Sequence, residues 1–68
     1  MDTKTLQCLC AVVETGSMSG AARRLGTSRS HISRRLKALE QAMQLQLFRR
    51  TTRRVEPTQI GWALYEHA

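Results

Sequence analysis

Leu6, Leu9, Cys10 and Val13 recur at i, i+3, i+4 and i+7, a spacing that predicts an amphipathic helix from Thr3 to about Glu14. Asp2 or Thr3 supplies a capping oxygen at its start, and Gly16 stands where the chain must leave the helix in a left-handed conformation. Met18, Ala21, Ala22 and Leu25 form a second, shorter stripe, which predicts a helix from Met18 to Leu25 capped by Ser17 and closed by Gly26. Its two alanines are small enough to let another helix pack close. Thr27 and Ser28 then offer the cap of a third helix, from about Arg29 to Met43.

The third helix has two faces. With Ser30 placed at 0°, Ser33, Arg34 and Lys37 fall at roughly −60°, 40° and −20° around its axis. On the same scale Ile32, Leu36, Leu39 and Met43 fall at roughly 200°, 240°, 180° and 220°. One side is therefore apolar and the other polar and cationic. After Met43 the helical pattern fades. Leu47-Phe48 and Val55-Glu56 read as short strands around Arg49-Arg50-Thr51-Thr52-Arg53-Arg54, a hairpin with a cationic, threonine-bearing tip. Pro57 ends it, Thr58 caps, and Gln59 to Ala68 opens a last helix with Ile60, Ala63, Leu64 and His67 on one side.

Composition sharpens this outline. Sixty-eight residues with 41% apolar content suit one small domain with a folded core, too apolar for a disordered basic tail. The span from Arg23 to Arg54 holds ten cations against the single acid Glu40, a net charge of +9. The flanks hold Lys4 against Asp2, Glu14, Glu56 and Glu66, a net −3. Such a lopsided field favours a polyanion, whose condensed counterions are released on binding. No apolar run is long enough to span a membrane, and the first residues lack the pattern of a secretory signal, so a cytoplasmic protein is expected. Cys8 and Cys10 lie two residues apart, on nearly opposite sides of a helix, which suits neither a mutual disulfide nor chelation of one metal.

The joint between the second and third helices is short and contains Gly26, as a helix-turn-helix requires. In that motif the second helix enters the major groove with its N-terminal residues at base edges. Here those residues are Arg29, Ser30, Ser33 and Arg34, with Lys37 a turn further on and His31 flanking. Thr27, Ser28 and the first-turn amides suit a backbone phosphate. Arginines on a hairpin tip fit a narrow minor groove; Arg53 is the candidate for insertion, with Arg50, Thr51, Thr52 and Arg54 at phosphates or the groove edge. Glu40 is expected to balance Lys37 or meet a packed neighbour, and His67 to be structural. No catalytic constellation can be assembled, because the five acids sit on separate elements. His31 and His67 have no partners at zinc-ligand spacing, and no cofactor is expected in this domain. Two rival readings remain: a basic surface for an acidic partner protein, and a membrane-surface peptide, although the glycine joints and hairpin favour a domain that folds unaided.

Several stretches together resemble the N-terminal winged helix-turn-helix of LysR-type transcriptional regulators. They are Glu14-x-Gly16-Ser17-Met18-Ser19-x-Ala21-Ala22-x-x-Leu25, Ser28-x-Ser30-x-Ile32-Ser33-Arg34-x-Leu36-x-x-Leu39-Glu40, Leu47-Phe48-x-Arg50-Thr51-x-Arg53 and Thr58-x-x-Gly61. The resemblance covers essentially the whole chain and implies a mainly α fold. A three-helix core would carry a two-stranded β-hairpin wing, filling residues 1–58, and residues 59–68 would begin a linker helix that dimerises. It also implies a bacterial regulator that binds double-stranded DNA at A/T-rich interrupted palindromes as a homodimer or dimer of dimers. Its small-molecule inducer would occupy a C-terminal domain absent from this sequence, making the chain an excised segment or truncated product with weak self-association. By position, Arg29, Ser30, Ser33 and Arg34 match the family's base-facing positions, and Arg50 and Arg53 its wing. Family members commonly carry Gln at the position of Arg29 and often Pro at that of Ser30. Gln suits adenine and Arg suits guanine, so the bases preferred at that step are expected to differ. Met18 stands where Phe is frequent, a change of packing.

Overall fold

The computed structural model describes residues 2–50 and 54–67. Its elements run α1 (Thr3–Thr15), α2 (Met18–Leu25), α3 (Arg29–Met43), β1 (Phe48–Arg50), β2 (Val55–Pro57) and α4 (Gln59–Glu66). Each helix begins where a short polar side chain takes up an orphan amide. Asp2, Ser17, Ser28 and Thr58 accept hydrogen bonds from the N–H groups of Thr5, Gly20, His31 and Gly61 respectively. Gly16 and Gly26 end α1 and α2 with φ of 74° and 68°, the region where a Cβ is penalised. At the second of these joints the Thr27 N–H closes onto the Ala22 carbonyl at 2.9 Å, so α3 departs at once in a new direction.

The first three helices enclose a core centred on Leu9, Val12, Ile32, Leu36 and Leu47, each at most 1% exposed. Burying side chains of this size contributes about 1.5–3 kcal/mol apiece, which makes this cluster the main source of stability. Ala21 and Ala22 are also buried, and their small size lets α2 lie close against its neighbours. The buried arc of α1 differs from the expected stripe: Cys8, Leu9, Ala11 and Val12 are buried, while Leu6, Cys10 and Val13 are half-buried. The cause is the central place of α1, which meets α2, α3, α4 and β2 and so is covered over a wide arc. In α2, Leu25 is 37% exposed rather than inward. Leu39 and Met43 are half-buried near the open end of α3.

The two strands pair antiparallel with Phe48 opposite Pro57, Arg49 opposite Glu56 and Arg50 opposite Val55. The hairpin is held to the bundle from both sides. The Val55 N–H donates to the Gly16 carbonyl at 3.3 Å, and Glu40 of α3 accepts from the Leu47 and Phe48 N–H groups at 2.7 and 3.2 Å. Glu40 therefore fastens the start of the wing instead of balancing Lys37. At the other end the Thr58 N–H donates to the Leu47 carbonyl at 2.9 Å, which draws α4 tightly against that loop. A Cβ on Gly61 would overlap the Leu47 carbonyl oxygen, so only glycine fits this approach. Gly61 is the buried residue of α4; Ile60, Trp62 and Ala63 are exposed, and Leu64 and Tyr65 are half-buried. His67 is exposed and forms the C-cap of α4.

Candidate nucleic-acid interface

Burial of Ile32 and Leu36 fixes the rotation of α3, and that rotation turns Ser30, Arg34 and Lys37 into solvent. Arg29, Ser30, Ser33, Arg34 and Lys37 line one open concavity, and Arg50 of β1 closes its far side. Strand alternation explains that last placement. Phe48 and Arg50 project from the same face of β1, so anchoring Phe48 in the core aims Arg50 toward α3. Its guanidinium donates to Ser33 Oγ at 2.9 Å. The Arg34 Nε donates to the Ser30 carbonyl at 3.4 Å, a long contact that leans the side chain along the helix.

The remaining expected residues take different stations. Ser28 accepts from the His31 N–H at 3.1 Å, and Thr27 and Ser28 sit exposed at the N-terminal end of α3, beside its first-turn amides. His31 is half-buried outside the concavity, its Nε2 accepting from the Arg35 Nε at 3.0 Å. Arg35 reaches on to Thr5 Oγ1 at 3.4 Å and Asp2 Oδ2 at 3.6 Å. His31 and Arg35 thus brace α3 against the start of α1. Hydrogen bonds from Thr5, and secondarily the Arg35 charge, hold the Asp2 carboxyl below its ordinary value. Arg54 lies exposed at the base of β2 with Glu56 at 3.9 Å. Thr51, Thr52 and Arg53, the expected tip residues, lie outside the described residues.

Sequence reasoning did not find the contact between Glu14, Arg24 and Tyr65. Glu14 Oε2 accepts from the Tyr65 hydroxyl at 2.7 Å and Oε1 takes the Arg24 guanidinium, joining α1, α2 and α4. The hydrogen bond from Tyr65, then that from Arg24, lowers the Glu14 carboxyl, and the same bond to Glu14 raises the Tyr65 phenol. Burial raises both thiols, which keeps Cys8 and Cys10 protonated and weakly nucleophilic. Among the described residues no group of three His, Cys, Asp or Glu is placed to hold a metal, and no helix is long and apolar enough to cross a membrane.

A cationic recognition helix presented by a glycine joint, beside a basic hairpin, defines a winged helix-turn-helix domain. The chain belongs to the lysR family of bacterial regulatory helix-turn-helix proteins, whose family model matches residues 3–62. It is 44% identical over all 68 residues to an uncharacterized HTH-type transcriptional regulator in the ibpB-leuC intergenic region of Azotobacter vinelandii, spanning 47% of that protein. It is 43% identical over 68 residues to the HTH-type transcriptional regulator ClcR of Pseudomonas putida, spanning 23% of it. The chain therefore covers less than half the length of these relatives. Among solved structures, the CbnR DNA-binding domain in complex with DNA superposes with a TM-score of 0.93 at 37% identity, covering 98% of this chain and 77% of that one. The BenM DNA-binding domain on its benA site 1 DNA gives 0.92 at 33% identity, covering 98% of this chain and 75% of that one.

Proposed function

We propose that this chain is the sequence-specific double-stranded DNA-binding domain of a bacterial LysR-type transcriptional regulator. The observation that carries the reading is the shared concavity into which α3 and β1 direct Arg29, Ser30, Ser33, Arg34, Lys37 and Arg50, with no acidic side chain on its lining among the described residues. In this reading α3 lies in the major groove, and Arg29, Ser30, Ser33 and Arg34 address base edges. Thr27, Ser28 and the first-turn amides of α3 take a phosphate, and Lys37 a second. The wing follows the backbone into the neighbouring minor groove, with Arg53 inserted and Thr51, Thr52 and Arg54 along its edges, while Arg50 at the root of the wing stays beside Ser33 of α3. His31 acts through α3, by bracing it. Residues 1–58 form the DNA-binding unit and residues 59–68 begin a linker helix.

Membership in a family of dimeric regulators supports a homodimer or dimer of dimers on an interrupted, A/T-rich palindrome, with a small-molecule inducer held by a separate domain. Action on chromosomal DNA places the protein in the bacterial cytoplasm, and the binding step uses protein groups alone, without a cofactor. Selection from random duplexes followed by titration of Arg34→Ala tests the reading. The variant is expected to lose about 1–3 kcal/mol on the selected site and to relax base preference at one step. An equal loss on selected and random duplexes would remove Arg34 from base readout. If the wild-type domain enriched no sequence and bound an acidic protein as tightly as duplex DNA, the surface would be a protein-docking face.

A further inference from the structure

We infer that Arg50, although carried by the wing, sets which bases the recognition helix accepts, by fixing the hydrogen-bonding sense of Ser33. This rests on the DNA-binding reading above and concerns one side chain within it. A serine hydroxyl has one O–H and two lone pairs, so by itself it reads a base edge equally well as donor or as acceptor. Arg50 removes that symmetry. Its guanidinium can only donate, and it donates to Ser33 Oγ at 2.9 Å. One lone pair is thereby filled, and the adjacent positive charge opposes the approach of a second donor to the same oxygen. The O–H must then find its acceptor away from Arg50, and Ser33 and Arg50 line the concavity together with Arg34 and Lys37.

In free solution this exposed contact is weak, because water competes for both groups. Once a duplex fills the concavity the water is displaced and the same contact strengthens in a lower dielectric. Ser33 then meets the groove as a donor. Its favourable partners are acceptor edges: N7 and O6 of guanine, N7 of adenine and O4 of thymine. Cytosine offers that groove only the N4 amino group, a donor, and so is the base most strongly refused. The strand geometry makes the arrangement specific to Arg50. Arg49 projects from the opposite face of β1 and stands opposite Glu56 in the strand register.

Base preference at each step is read by selecting duplexes with the wild type, Ser33→Ala, Arg50→Gln and the double variant, and then titrating single-base variants of the selected site. Ser33→Ala identifies the step that Ser33 reads, since preference flattens there. At that step the wild type is expected to favour guanine or thymine over cytosine by about tenfold. Arg50→Gln should admit cytosine to within about twofold at the same step while leaving the step read by Arg34 unchanged. The double variant should match Ser33→Ala at that step, because the two residues act as one unit. Arg50 is exposed, and thermal melting of the variants checks that each remains folded. If Arg50→Gln weakened every duplex alike with an unchanged base profile, Arg50 would be a phosphate contact and the inference would be wrong. A wild-type domain that enriched no sequence would overturn the DNA-binding reading itself, a result distinguishable from failure of the Arg50 effect alone.

Discussion

Single residues in this domain act through chemistry of two ranges, and only the shorter range is written in the sequence. The caps at Asp2, Ser17, Ser28 and Thr58 each serve an amide three residues ahead, so residue type and spacing identify Ser17 and Thr58 outright and narrow the others to Asp2 or Thr3 and to Thr27 or Ser28. Glu40 was different. It reaches amides seven and eight residues on, and nothing in its helical register distinguishes a carboxylate aimed at a loop from one aimed at Lys37. Gly61 belongs with Glu40. Its spacing from Thr58 was visible, but the reason for glycine emerges only with the Leu47 carbonyl against its Cα. Because that obstacle is backbone tied to Thr58 by a hydrogen bond, the site cannot relax by turning a side chain. Gly61→Ala is accordingly expected to destabilise the fold by about 1–3 kcal/mol, the usual cost of overpacking, despite alanine's better helix propensity. Denaturant unfolding measures this, and an unchanged or raised midpoint would mean that α4 can lift away from the loop freely.

At the scale of elements, periodicity located all four helices. The hairpin was placed less closely, since β1 runs Phe48–Arg50 and so takes in Arg49 and Arg50, which the sequence puts in the tip. Helix α3 was legible down to its faces. Its apolar side turned inward at Ile32 and Leu36 and its cationic side outward, because the helix has one neighbouring surface and one exposed one. The face of α1 was misjudged for the opposite reason: a helix surrounded on several sides buries more than one stripe, and a stripe is all that periodicity encodes. The angle between elements was equally invisible, and the Glu14, Arg24 and Tyr65 contact that ties α4 to α1 and α2 spans up to 51 residues of sequence. That contact carries a pH signature. Glu14 is lowered from 4.5 in the folded state, so its stabilising share is present above that value and is lost as the pH falls through the folded one. Tyr65 is raised from 10.0, so its share is present below that value and is lost as the pH rises through the folded one. Tyr65→Phe should therefore differ most from the wild type between these limits, with the two stability profiles converging in acid and in alkali. Carbon-detected NMR titration gives the complementary readout. Glu14 should titrate higher in Tyr65→Phe yet remain below its ordinary value, because Arg24 stays. A Glu14 titration unmoved by the substitution would show that the phenol does not hold the carboxylate in solution.

The molecule as a whole is electrically divided, and the fold converts a charge distribution along the chain into one in space. The residues between Arg23 and Arg54 carry net +9, and their folding brings helix and wing cations to the two sides of one concavity. Four acids flank that stretch in the sequence, and three have structural cations beside them: Asp2 near Arg35, Glu14 near Arg24 and Glu56 near Arg54. Several arginines are thus spent on bracing, so the formal charge overstates the number of phosphates the surface can neutralise. The salt dependence of binding measures that number, since the slope of log K against log salt is about −0.9 per phosphate contacted on duplex DNA. Arg54 is exposed on the wing, outside the concavity's lining, with its Nε 3.9 Å from Glu56 Oε1, so binding a phosphate there competes with contacts within the protein. Arg54→Gln is expected to weaken selected and random duplexes by the same factor and to reduce the slope by about 0.9, whereas Arg34→Ala changes base preference. Isotherms at several salt concentrations on both kinds of duplex separate these effects. An Arg54→Gln slope equal to that of the wild type would mean that Arg54 keeps its contacts within the protein in the complex. The wing's electrostatic reach would then begin at Arg50, beside the recognition helix, rather than extending along β2.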